Sequence, residues 1–534
     1  MRRRCLLRSG GSALAASLGV GTVVGRAAGD DGDGSPAGDD AFSVGDDAPP
    51  ASSDPYAPLG RLDLAGTREA VVSTDGRTAY LALGDGYATV DCSDPSDPTV
   101  LAERREPLAD RAGDPFGLVH DVSVSGDRLA VVGPAERRGG LARGLLVVDV
   151  SDPADPEEVG FHETTFPIHN CTIDGRYCYL TGNGQRGEPV VVVDAESPAE
   201  VGRWSLFDAD EAWADVDAGL RTVHDVTVRD GVAAVAYWDA GTALLDVSDP
   251  SAPVLIGRVD PGDPAALRDP PPRESFVPPG NHHVAVLAPG GDTLAVGRES
   301  WAVERDGGRI GGPSGVDLYD VSDPAEPSLL STVAPPATPD PTFDGVWTTA
   351  HNLDIADGTL YTSWYQGGVK RHDISDPADP VEETWWADPE AARFWTAVAG
   401  ERGSFFLASS MGTDGGAPAG VWTFPDAAGV GGSRDRLRAD AEGDDAGDGS
   451  TDSPTAESST AGSPSTGTDG SGGATADRAG DDDGEDGTGD GETKSHAAGP
   501  GFGVAGAVGG LLASGALALG RARRRSGGSE DCEG

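Results

Sequence analysis

One phrase recurs through the middle of the chain and constrains its fold more than any other feature. It reads Val90-Asp91-Cys92-Ser93-Asp94-Pro95, Val148-Asp149-Val150-Ser151-Asp152-Pro153, Val193-Asp194-Ala195-Glu196-Ser197-Pro198, Leu245-Asp246-Val247-Ser248-Asp249-Pro250, Tyr319-Asp320-Val321-Ser322-Asp323-Pro324 and His372-Asp373-Ile374-Ser375-Asp376-Pro377. Ser-Asp-Pro is turn chemistry, because Asp caps a tight turn and Pro presets φ. The apolar run before each phrase, such as Leu145-Leu146-Val147-Val148, predicts a strand buried on both faces. An alternating hairpin precedes it, as in Val122 to Ser125 and Leu129 to Val132, and a short strand such as Val159-Gly160-Phe161 follows. Each repeat therefore predicts about four strands and no helix. Four-stranded units repeated about an axis make a β-propeller.

A seventh unit lacks the phrase. It runs from Phe394 through Phe405-Phe406-Leu407-Ala408 to Val421-Trp422-Thr423-Phe424 and offers three strands. Leu59-Gly60-Arg61-Leu62-Asp63 matches a fourth strand, Ile256-Gly257-Arg258-Val259-Asp260. The expected fold is an all-β, seven-bladed β-propeller over residues 58–426, with the N-terminal strand closing the last blade and removing a free sheet edge. Leu146-Val147-Val148-Asp149-Val150-Ser151-Asp152-Pro153 resembles the LVIVD repeat of bacterial and archaeal surface propellers. That resemblance covers roughly Leu59 to Pro425 and implies the fold and an exported location, but no activity.

The segments outside the repeats are of another kind. Residues 1–29 join Arg3-Arg4 to a small-residue apolar stretch and an Ala27-Ala28-Gly29 exit, the parts of a secretory signal. They resemble a twin-arginine export signal; a plain general-secretion signal is the alternative. Residues 30–57 are expected to be an acidic disordered linker, and residues 427–499, rich in Asp, Gly, Ser and Thr, a disordered acidic stalk. Residues 500–525 run from Pro500-Gly501-Phe502 through an apolar, helix-length segment to Arg521, Arg523, Arg524 and Arg525, leaving residues 526–534 as a cytoplasmic tail. This ending resembles the PGF-CTERM sorting signal of archaeal surface proteins, which implies removal of the apolar helix by an archaeosortase and a lipid anchor. A simple tail anchor is the alternative. Both readings place the folded part on the outer face of the cell membrane.

The formal net charge is -50, from 89 acidic and 39 basic residues, and Lys370 and Lys494 are the only lysines. Such an excess of carboxylates argues against nucleic acid as a partner and suits a protein kept soluble in concentrated salt. The expected partners are a surface ligand, glycan or protein, and the membrane through the C-terminal anchor, with the propeller itself monomeric. Cys171 and Cys178 flank an Asp174-Gly175 turn; they read either as buried thiols or as a cross-hairpin disulfide.

Aligning the first strand of each unit brings out the sharpest candidate site. One repeat position reads Arg68, His120, His169, His224, His282, His351 and Phe394, and the next reads Glu69, Asp121, Asn170, Asp225, His283, Asn352 and Trp395. Five of the nine histidines share one position. If this strand lines the central channel, the imidazoles form a ring able to hold a transition metal (Cu, Zn or Fe), with His283, Asp121 and Asp225 as supporting groups. The arrangement resembles the propellers of nitrous oxide reductase and the selenium-binding proteins, in fold and position only. The alternative is that each His braces its own blade, as in WD-repeat propellers, leaving a structural envelope component. The connections into these positions are long: Arg104 to Leu118, Ser205 to Thr222, Asp260 to Asn281 and Ala334 to Ala350. They predict a loop-rich face where Arg68, Trp204, Trp213 and Trp347 could bind a ligand, unless the aromatics fold back as plugs. No catalytic motif is recognised, and a non-enzymatic ligand- or partner-binding module is the first expectation.

Overall fold

The computed structural model describes residues 56–438, apart from 112, 269–279 and 306. The expected signal, most of the linker, most of the stalk and the C-terminal apolar segment lie outside the described residues. Seven sheets form seven blades. In blades 1 to 6 the strands pair in chain order, from an innermost to an outermost strand. The innermost strands are Ala70–Val72, Asp121–Ser125, Cys171–Asp174, Asp225–Arg229, Asn281–Leu287 and Leu353–Ala356, and Phe394–Ala399 serves blade 7. Blade 7 closes as the repeat count requires. Gly60–Asp63 pairs antiparallel with Gly420–Pro425, setting Gly60 opposite Thr423 and Asp63 opposite Gly420.

The repeat phrase determines how neighbouring blades meet. Third strands such as Gly144–Asp149 and Val190–Asp194 are buried along almost their whole length, since each blade is covered on both faces. At the turn, the Asp149 carboxylate accepts from the Ser151 N–H at 2.9 Å and the Asp152 carboxylate from the Ala154 N–H at 3.0 Å. The Pro250 carbonyl of the next turn lies so close to Gly202 in the fourth strand of blade 3 that a Cβ there would sit 2.3 Å from it. Gly257 stands in the same relation to Pro324. Gly60 in the fourth strand of blade 7 meets the Pro95 carbonyl in the same way, so in blades 3, 4 and 7 a fourth-strand glycine lets the next blade's proline turn dock.

One difference from the sequence expectations stands out, and one open alternative is resolved. Residues 427–438, assigned by composition to the stalk, remain with the folded body. Gly429–Gly432 adds a parallel fifth strand to blade 6, beside Val381–Ala387. A Cβ at Gly431 would lie 1.8 Å from the Tyr56 carbonyl, so the glycines that resemble a linker permit this close approach. Cys171 and Cys178 are free, buried thiols; Cys171 lies opposite Leu180 and Cys178 opposite Ile173, so the hairpin register does not pair them. Among the described residues, no helix is long and apolar enough to cross a membrane.

Candidate metal centre

The site lies where the innermost strands begin, at the mouth of the channel that receives the long connections. In blades 2, 3, 4 and 6 the ring residue stands just before the paired strand, as the alignment predicts: His120, His169, His224 and His351. Blade 5 differs. A β-bulge between His282 and Val284 inserts one extra residue opposite Arg298 and Gly297. The bulge brings His283, not His282, to the channel. His282 turns away from the channel toward blade 4, where its Nδ1 lies 2.7 Å from the Thr242 hydroxyl and its Nε2 3.6 Å from the Asp260 carboxylate. Blade 7 carries the same irregularity between Phe394 and Thr396, so Trp395 and not Phe394 completes the ring.

The imidazoles form a continuous arc. Ring centroids lie 4.4 Å apart for His169–His224, 4.1 Å for His224–His283 and 4.5 Å for His283–His351. His120 is set off, 6.3 Å from His169 and 5.8 Å from Trp395. The ring encloses a void of about 10 Å³, the room of a single ion or water. The hydrogen bonds of the ring nitrogens specify its chemistry. His224 Nδ1 meets the His283 carbonyl at 3.0 Å, His169 Nδ1 the Ala135 carbonyl at 3.4 Å, and His351 Nδ1 the Trp395 carbonyl. A carbonyl only accepts, so in each case Nδ1 carries the proton and Nε2 keeps its lone pair. These bonds run to a neighbouring blade, not within one, so they differ from the brace expected of WD-type repeats.

One carboxylate joins the arc. Glu299 ends the second strand of blade 5, Thr293–Glu299, and its Oε2 lies 3.2 Å from His283 Nδ1. Ligand atoms of His283, Glu299 and His351 all fall within 4.8 Å of one another, and all three residues are buried. Glu299 also accepts from the Tyr365 hydroxyl at 2.8 Å. Nothing in the repeat alignment singled out Glu299, because it belongs to a different strand from the histidines.

Burial governs protonation. It holds His120, His224 and His351 well below the ordinary imidazole value and pushes His169 down to about 4. For His283, burial acts in the same direction but the adjacent Glu299 carboxylate outweighs it and raises the pKa. At neutral pH four imidazoles are therefore uncharged, the form that ligates metals.

The residues one place further along the strands form a second tier with another task. Asp121 accepts from the Cys171 N–H at 2.6 Å, and the Asn170 side-chain carbonyl accepts from the Val226 N–H at 2.9 Å. Asn170 Nδ2 donates to Asp225 at 2.7 Å, and Asn352 Nδ2 donates to Glu69. Asp121 and Asp225, expected to support the ring histidines, bond to neighbouring blades instead. Burial raises Glu69 and Asp225 to about 7, and Asp121 well above the carboxylate range.

The aromatic loop residues fold inward. Trp213 is fully buried and packs with Trp204 in the core between blades 3 and 4. Trp347 packs on Trp301, Phe343 and Tyr365, and its Nε1 donates to the Phe343 carbonyl at 2.7 Å. These three tryptophans present little surface to a ligand. Arg68 lies over the Trp395 ring, 5.7 Å from its centroid, and donates to the Thr67 carbonyl at 2.8 Å.

The LVIVD repeat model matches residues 71–103, 116–164 and 221–261, which are blades 1, 2 and 4 with their flanks. No curated protein sequence matches the chain. Among solved structures, it is similar to the β-propeller domain of Cps50 (Swd1) from Myceliophteria thermophila, at 9% identity and a TM-score of 0.46, over 69% of this chain and 99% of that one. It is also similar to Kuenenia stuttgartiensis hydrazine synthase, at 12% identity and a TM-score of 0.42, over 66% of this chain and 94% of the other. The chain is thus a seven-bladed β-propeller that carries LVIVD repeats.

Proposed function

We propose that this propeller is a metal-binding protein that holds one transition-metal ion in its channel through His283, Glu299 and His351, with His224 and His169 next along the arc. The observation that carries the reading is the tautomer pattern. Nδ1 of His169, His224 and His351 is committed to carbonyls, so each Nε2 lone pair remains available. Outer-sphere carbonyls orient ligating imidazoles in this way. Two imidazoles and a carboxylate suit zinc, copper or iron over calcium or magnesium, which prefer an all-oxygen shell.

The chain's own groups would act as follows. His351 presents Nε2, and Tyr365 holds Glu299 by its hydroxyl. His283 loses its proton on binding, which frees the nitrogen facing Glu299. The terminal segments support a location outside the cell, on a membrane anchor; cell fractionation with surface proteolysis tests that separately.

Metal analysis of full-length protein purified in high salt tests the reading. About one equivalent of a transition metal is expected, lost in the His283→Ala/His351→Ala double variant. Less than about a tenth of an equivalent in the parent, with no uptake on titration, would overturn it.

A further inference from the structure

We propose that the metal reaches the imidazole ring through the channel from the Ser-Asp-Pro face, passing a transit cation site at Asp225 behind a latch formed by Arg229. The inference rests on the metal-binding reading above.

The channel beyond the ring is a cavity of about 380 Å³. Asp121, Asn170, Asp225 and Asn352 line both this cavity and the ring void. The second tier is therefore the partition between the two spaces. Most of its polar atoms are committed to neighbouring blades. Asp225 Oδ1 is the exception: it is buried and has no hydrogen-bond partner, and the residue is only 4% exposed. A buried carboxylate oxygen without a partner, shared by two cavities, is a place where a cation gains a ligand that nothing else supplies.

The outer end of the same strand carries Arg229. Its guanidinium reaches from blade 4 to the Ile355 carbonyl of blade 6, at 3.4 Å. That single long bond crosses the channel, so the side chain bars the cavity with little holding it in place. Its charge also repels an arriving cation until it swings aside. At the opposite mouth Arg68, whose Nε has no hydrogen-bond partner, lies beside Arg393, whose guanidinium pairs with Asp414 at 3.2 Å. The Arg68 guanidinium, in no ion pair among the described residues, disfavours cation entry from the loop-rich face.

Stopped-flow uptake of cobalt(II) by the full chain in high salt tests the route. Arg229→Ala should load severalfold faster than the parent and reach the same final metal content. Asp225→Asn should load about tenfold more slowly, its initial rate being normalised to its own end point. Arg68→Met should load at the parent rate. Parent-like rates in both Arg229→Ala and Asp225→Asn would overturn the route while leaving the metal centre intact. Faster loading in Arg68→Met would move entry to the other mouth. Absence of cobalt binding by the parent at equilibrium would instead remove the metal reading, and the route with it.

Discussion

The two tiers at the channel mouth lie one residue apart in sequence, are equally buried and consist of titratable or amide side chains, yet they do opposite work. In the upper tier His169, His224 and His351 each spend one nitrogen on a neighbouring blade and keep the other free. The lower tier of carboxyls and amides is almost consumed by backbone and side-chain bonds to neighbouring blades. Residue type and burial do not separate them, because both are polar groups withdrawn from water. What separates them is the remaining hydrogen-bonding capacity of each group. A buried polar atom left without a partner costs stability unless something else binds it. The contrast teaches that satisfied groups build the ring and unsatisfied ones are where it can take a ligand.

The sharpest way to break this contrast is to remove ligands from the upper tier. The His283→Ala/His351→Ala variant should lose the bound metal entirely, and retention of metal would place it elsewhere. Next in size is a staple of the lower tier. Asp121→Ala leaves the buried Cys171 N–H without its acceptor and should cost about 2–4 kcal/mol in denaturant unfolding. Its equilibrium metal content should not fall; a loss of metal with little loss of stability would erase the distinction between tiers.

The tiers should also differ in pH response. The folded protein lowers the pKa values of four ring histidines, and of His282 and His372 outside it, so below the ordinary imidazole value of about 6.5 the unfolded chain binds more protons and stability falls as pH drops. It raises Glu69 and Asp225 to about 7, so between the usual carboxylate range and about 7 the folded protein binds more protons. That contribution is lost as pH rises through about 7. Together they predict a stability maximum near about pH 6.5. Glu69→Gln should shrink the fall in Tm from about pH 6 to about pH 8, and an unchanged fall would show that this tier does not titrate as described.

The smallest effect concerns His282. Its bond to Thr242 of blade 4 points away from the channel, so His282→Gln should cost about 1 kcal/mol and leave metal content unchanged. A metal deficit in that variant would reverse the assignment of ring and blade within the His282-His283 pair.

Much of the architecture was legible because it repeats. Six copies of one turn phrase and a matching strand at Gly60–Asp63 specify seven blades and their closure. The histidine position was legible for the same reason, and four of its members stand in the channel as expected. The exceptions share a cause. A bulge adds one residue without changing composition, so the alignment set His282 and Phe394 in the ring where His283 and Trp395 stand. Trp204, Trp213 and Trp347 read equally as binding groups or plugs, because burial of a loop side chain depends on what the loop folds against.

By itself the sequence determined the periodic parts: blade number, strand order, the turn that docks each blade on the next, and a histidine at the start of most inner strands. These follow from local patterns of alternation and turn chemistry, which each repeat states again. Only the tertiary structure decided the site. Which histidine of a pair faces the axis, which nitrogen is left free, and that Glu299 from a second strand joins His283 and His351 all depend on register and on contacts between blades. No local pattern encodes such contacts, because the partners come from strands far apart in the chain and meet only when the ring closes.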